Sequence, residues 1–89
     1  MIFITFCKFR KKATKAVIAE STKLVQQGLK EMGGKILGWY WTLGRYDVVF
    51  IAEGKDEKNY MKTTIRFGDI LSPETLVAVT REEAINLVE

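Results

Sequence analysis

Apolar residues recur along this chain with two periods. Four stretches follow the two-residue alternation of a strand, and two long stretches follow the helical repeat. Residues 2–9, Ile-Phe-Ile-Thr-Phe-Cys-Lys-Phe, put Ile2, Ile4 and Phe6 on one side and Phe3, Cys7 and Phe9 on the other. Both sides are apolar, which predicts an interior strand. Residues 14–32 read as a helix: Val17, Ser21, Leu24, Val25, Gly28 and Met32 share a face, with Lys23, Gln26, Gln27, Lys30 and Glu31 mostly opposite. Either Thr14 or Ser21 is the N-cap. Gly33-Gly34 ends the helix, one of the two in the left-handed position after the cap.

Residues 36–53 then form the stretch around which the others are arranged. Ile-Leu-Gly-Trp-Tyr-Trp-Thr-Leu and Tyr-Asp-Val-Val-Phe-Ile-Ala-Glu flank Gly44-Arg45, the pattern of a hairpin with a two-residue type II′ loop. That loop pairs Leu43 with Tyr46, Trp41 with Val48, Trp39 with Phe50 and Leu37 with Ala52 on one bulky apolar face. The other face pairs Thr42 with Asp47, Tyr40 with Val49, Gly38 with Ile51 and Ile36 with Glu53. A sheet with one wet side alternates more cleanly than this. Both faces are therefore expected to be covered, one of them by another chain.

After Gly54, Asp56 is placed to cap a helix over residues 57–67, with Tyr60, Thr64, Phe67 and Leu71 inward and Met61 and Ile65 beside them. Gly68-Asp69 stops it, Ser72-Pro73 turns the chain, and residues 74–80 make a fourth strand. Thr80-Arg-Glu-Glu83 is a capping box, followed by Ala84, Leu87 and Val88 on one side of a short terminal helix. Such a helix must cover either its own sheet or a neighbouring subunit. The order β-α-β-β-α-β is the ferredoxin-like split pattern, an α+β fold. Right-handed crossovers put both main helices on one face of a four-stranded antiparallel sheet in order 4-1-3-2. The face with Trp39, Trp41, Val48 and Phe50 is assigned to the helices, leaving the Tyr40/Asp47 face open in a monomer.

Eighty-nine residues make a single domain, 1–89. A chain of this size buries only about 60–65% of its unfolded surface, and association is a common remedy. With 47% hydrophobic and 28% charged residues and a net charge of +3, the chain reads as soluble and globular. Its single cysteine, Cys7, rules out an intramolecular disulfide and fits the cytoplasm. No apolar run reaches the roughly 18 residues of a membrane span. The apolar start lacks a basic leader and meets Lys8 and Arg10 at once, so it reads as a strand and not a signal peptide. Arg10, Lys11, Lys12 and Lys15 are either a solvated connection or an anion contact.

Gly44-Arg45-Tyr46-Asp47, closing Gly38-Trp39-Tyr40-Trp41-Thr42-Leu43 and preceded by Gly33-Gly34-Lys35, resembles the GYD domain family. The family is named for the residues found here at Gly44, Tyr46 and Asp47. The resemblance runs from the first strand through residue 80. It implies a ferredoxin-like domain of the dimeric α/β-barrel type, in which two sheets bury their open faces against each other, and it implies no settled activity. The paired tryptophans and the Glu53-Gly54-Lys55 turn depart from the family's usual pattern.

Catalytic machinery is thin. There is no histidine, which removes the commonest general base, metal ligand and haem ligand. One cysteine without histidine excludes a structural zinc site and a Cys/His nucleophile. No phosphate-binding glycine pattern is present, no catalytic or metal-ligating residue is assigned, and no cofactor is implied. An RNA-recognition sheet needs a basic residue and a glycine among the aromatics of its central strand. Residues 46–52 lack both and carry Asp47 where phosphate would lie, so nucleic acid is not expected. The ligand-contact candidates are Tyr40, Thr42, Tyr46 and Asp47. The Asp47 carboxylate either accepts hydrogen bonds from the turn backbone or the Thr42 hydroxyl, or stands at the mouth of a cavity between subunits. The Tyr46 ring is expected to close the core end with its hydroxyl in solvent, and Trp39, Trp41 and Phe50 to be core. The reading is a homo-oligomeric binding or interaction module, with a sheet face for dimerisation and a pocket for a small ligand. The alternative is a cofactor-independent enzyme acting on a small aromatic or carbonyl compound.

Overall fold

The double-sided apolar pattern of residues 2–9 places that segment in the middle of the sheet. In the computed structural model, which describes residues 1–88, β1 (Ile2–Phe9) lies between β3 (Val48–Glu53) and β4 (Leu71–Ala78). β2 (Lys35–Trp41) completes an antiparallel sheet of order β2-β3-β1-β4. The sheet is crossed by α1 (Lys15–Glu31) and α2 (Glu57–Phe67), and α3 (Arg81–Leu87) follows β4. The fold is ferredoxin-like, with the strand order expected from right-handed crossovers.

Local chemistry sets the boundaries. The Thr14 hydroxyl accepts from the Val17 N–H, so α1 starts there, and Ser21 lies inside the helix with its hydroxyl on the Ile18 carbonyl. Gly33 has φ of 71°, and the Gly33 and Gly34 N–H groups donate to Lys30 and Leu29, a full Schellman ending. Asp56 caps α2 through the Asn59 N–H at 2.8 Å. The α2 stripe differs from expectation: Thr63 is buried with Tyr60 and Phe67, and Leu71 opens β4.

Three further expectations are corrected. First, Ser72-Pro73 is not a turn. Both residues lie in β4, where Pro73 pairs with Cys7, because an edge strand tolerates a missing N–H. Second, a bulge at Leu37 shifts the hairpin register. Ile36 pairs with Ala52 and Lys35 with Glu53, so Ile36 turns toward the core and Leu37 is exposed. Third, the hairpin loop has four residues. Leu43 and Tyr46 do not pair; the Thr42 N–H donates to the Asp47 carbonyl at 2.9 Å and Leu43 is fully exposed.

Under the helices, Phe3, Thr5 and Cys7 of β1 and Val48, Phe50 and Ala52 of β3 meet Ser21, Val25 and Leu29 of α1 and Tyr60, Thr63 and Phe67 of α2. Phe3 stacks on Tyr60 with centroids 4.0 Å apart, and Phe67 meets the Phe50 ring edge-on at 6.2 Å. Each fully buried large side chain here contributes about 1.5–3 kcal/mol of transfer free energy. Buried Thr5 finds two partners, the Tyr60 hydroxyl at 2.6 Å and the Thr75 hydroxyl at 3.0 Å. Trp39, Val48 and Phe50 lie on the helix side, as assigned from the sequence, with Trp41 at its exposed edge.

Candidate functional site

The surface opposite the helices is built row by row from the strand register. Gly38, Ile51, Ile4 and Leu76 lie side by side across the four strands, and so do Tyr40, Val49, Phe6 and Glu74. Lys35, Glu53, Ile2 and Ala78 form the outer row. Neither α1 nor α2 covers this face. Ile2, Ile4, Phe6, Val49 and Ile51 are only half-buried, while Leu76 is 49% and Tyr40 56% exposed. The patch is contiguous and apolar, with Lys8, Lys35, Glu53 and Glu74 at its rim.

Each candidate from the sequence has a defined place here. Tyr40 leans back over Gly38, where an added Cβ would stand 2.8 Å from the Tyr40 ring. The ring therefore lies along the face, filling the space that the glycine leaves. The Thr42 hydroxyl donates to the Tyr46 carbonyl at 2.6 Å and tightens the loop. Tyr46 does not close the core end. Its ring sits 5.1 Å from that of Phe6 on the open side, and its hydroxyl donates to the Glu74 carboxylate at 2.5 Å. That bond to a carboxylate raises the Tyr46 phenol above its ordinary value, keeping it a donor at neutral pH. Asp47 faces β1. Its Oδ2 accepts from the Phe9 N–H at 2.9 Å, and its own N–H donates to the Cys7 carbonyl at 2.9 Å. Of the two partners foreseen for its carboxylate, neither the turn backbone nor the Thr42 hydroxyl is the one used.

The motif thus joins three segments distant in sequence. Gly44, at φ of 99°, lets the loop turn; Tyr46 crosses Phe6 to reach β4; Asp47 fastens the end of β1 to the start of β3. Glu74 and Phe6 belong to this constellation and were not singled out from the sequence. The signal for Phe6 was present in the alternation of Ile2, Ile4 and Phe6. Glu74 was hidden by the late start assigned to the fourth strand.

This geometry agrees with the sequence comparison, which matches the GYD domain over residues 3–88. The chain belongs to the GYD domain family. Among curated proteins there is no match. Among solved structures, this GYD domain is similar to SCO4226 from Streptomyces coelicolor A3(2), at 10% identity and a TM-score of 0.59, covering 88% of this chain and 98% of that one. It is also similar to 30S ribosomal protein S6 from Thermotoga maritima, at 13% identity and a TM-score of 0.60, covering 97% and 94%. RPA0582, a protein of unknown function from Rhodopseudomonas palustris, aligns at 14% identity and a TM-score of 0.54, covering 89% and 82%. At these identities the likeness concerns the fold. No helix among the described residues is long and apolar enough to cross a membrane.

Proposed function

We propose that this GYD domain is a homo-oligomeric interaction module. The open sheet faces of two copies pair as a dimeric α/β barrel, and the space between them near Tyr40, Thr42, Tyr46 and Asp47 takes a small ligand. One observation carries the reading: a continuous face of Ile2, Ile4, Phe6, Val49, Ile51 and Leu76 lies on the side of the sheet away from both main helices. Water over such a face costs on the order of 25 cal/mol per Å² of apolar surface. A twofold pairing presents the same patch on both sides and is self-complementary. On its rim Lys35 pairs with Glu53 at 3.9 Å and Glu74 accepts from the Tyr46 hydroxyl, so these charges are partnered within the chain and leave the apolar rows as the surface for a partner. The half-exposed Tyr40 ring and the Tyr46–Glu74 pair would line the seam, offering a flat apolar surface with two polar ends.

The reading places the protein in the cytoplasm, on the ground that its one cysteine is a buried free thiol. A second reading, cofactor-independent turnover of a small aromatic or carbonyl compound, draws on the Tyr46–Glu74 pair as a hydrogen-bond donor within the same seam. Native mass spectrometry of gently purified protein tests the proposal. The expected result is a dimer or a larger even assembly, with a defined extra mass if a ligand co-purifies. A bare monomer at micromolar concentration overturns it.

A further inference from the structure

On the helical side of the sheet, β4 is the edge strand and α2 runs beside it. Glu57, Tyr60, Met61 and Thr64 recur at helical spacing and share the side of α2 that looks toward β4. Between this stripe and Thr75 and Val77 of β4 lies a cleft of about 170 Å³. The stacked rings of Phe3 and Tyr60, both buried, form its floor. Met61 and Val77, 59% and 52% exposed, form its walls. An apolar cavity of about 150 Å³ is enough to hold benzene. The cleft therefore has room for one six-membered ring, with a short chain reaching out of it.

Two polar groups at this cleft have bonding capacity to spare. The first is a hydroxyl. The hydroxyls of Tyr60, Thr5 and Thr75 form a row, with separations of 2.6 Å and 3.0 Å. Each carries one proton, and two contacts use two of the three. The third is left at one end of the row, on Tyr60 or on Thr75, and both residues line the cleft. Tyr60 is only 2% exposed, where an unused donor is costly. The row therefore runs from Tyr60 through Thr5, and half-buried Thr75 keeps the spare proton. The Thr64 hydroxyl is already spent on the Met61 carbonyl at 2.8 Å. The second group is the exposed Glu57 carboxylate. It is the one charged side chain that lines the cleft, and it forms no ion pair among the described residues. Lys62 and Arg66 of the same helix line the groove toward α1 instead.

We infer that the α2–β4 cleft is a binding site for a small aromatic amine: one ring bearing an acceptor oxygen, with a protonated amine on a short chain. The ring packs on Met61 and Val77, where a thioether makes favourable contact with an aromatic edge. The ring oxygen accepts the spare Thr75 proton, and the ammonium pairs with Glu57. Charge selects a cation, because an anion here meets Glu57 with no cation in the lining to offset it. The cleft lies across the sheet from the open face, so it is a separate site from the seam proposed above and does not depend on dimerisation.

Titration of the isotope-labelled full-length chain with tyramine, followed by amide NMR shifts, tests the site. The expected shifts saturate and centre on Glu57, Met61, Thr75 and Val77. Tyrosol keeps the ring and its oxygen but replaces the ammonium with a neutral hydroxyl. It should bind about two- to fivefold more weakly, which is what an exposed ion pair contributes. High salt should close that gap by screening the pair. Glu57→Gln should close it too, with shifts outside the cleft unchanged because the exposed side chain keeps its size. Phenethylamine lacks the ring oxygen and should bind more weakly than tyramine, and para-hydroxyphenylacetate, an anion of similar shape, should give no saturable shifts in the cleft. Shifts that do not saturate overturn the inference, as does equal binding of tyramine and tyrosol or an unchanged tyramine affinity in Glu57→Gln. Saturable shifts confined to Tyr40, Tyr46 and Asp47 also overturn it, since they assign the amine to the seam and leave the sheet-face reading standing.

Discussion

Asp47 spends its carboxylate on the backbone. By accepting from the Phe9 N–H it fastens the last residue of β1, while its own N–H returns to Cys7. The residue that invites a chemical role from the sequence therefore also acts as a clasp between strands. Asp47→Ala should lower stability by about 1–3 kcal/mol, the cost of leaving a partly buried donor unpaired. Asp47→Asn keeps an acceptor in place and should recover much of that loss. Urea unfolding of the two variants decides it; an Asp47→Ala midpoint equal to wild type contradicts the clasp. The Gly-x-Tyr-Asp spacing was legible, but the direction of Tyr46 was not. A two-residue loop sends Tyr46 to the bulky face, and the observed four-residue loop frees it from that pairing, so that the ring lies over Phe6. Side-chain direction in a hairpin depends on register, and a small error in loop length misplaces the side chain.

At the scale of elements, those with strong local chemistry were readable. Thr14, Asp56 and Thr80 cap the three helices, and Gly33 closes α1 with a positive φ. Where pairing across the sheet decides, sequence alone was insufficient. The bulge at Leu37 leaves no mark in composition, and Pro73 signals a turn until its edge position is known. Contacts between helices were equally hidden. Gly28 appeared only as a member of a stripe, yet it is where α1 and α2 meet: an added Cβ would stand 2.5 Å from the Thr63 Cγ2. Alanine normally improves a helix interior by about 1 kcal/mol over glycine. Here Gly28→Ala should instead destabilise, because the overlap is with a buried side chain on a neighbouring helix. Adding Thr63→Ala should relieve the overlap, with a coupling of about 0.5–3 kcal/mol in a double-mutant cycle of urea midpoints. Additive effects would contradict the contact.

The whole molecule is two layers, helices on a sheet. Both main helices cover one face of the sheet, and the other face keeps a full row of Gly38, Ile51, Ile4 and Leu76 open beside the aromatic row of Tyr40 and Phe6. The two-sided apolar alternation of residues 2–9 announced this in the sequence, since a strand facing water on one side has no use for Ile2, Ile4 and Phe6 together. What the sequence could not show is that α3 buries none of its residues, because a capping box fixes where a helix starts and says nothing about what it touches. Sedimentation of wild-type chains beside Ile4→Lys chains tests the proposed pairing of open sheet faces. Ile4 lies on the middle strands of the face, and lysine there leaves the helix side untouched while placing a charge in the proposed seam. Sheet pairing predicts a wild-type dimer at micromolar concentration and a folded Ile4→Lys monomer with unchanged circular dichroism. A wild-type monomer, or an Ile4→Lys protein that sediments as wild type does, would contradict it.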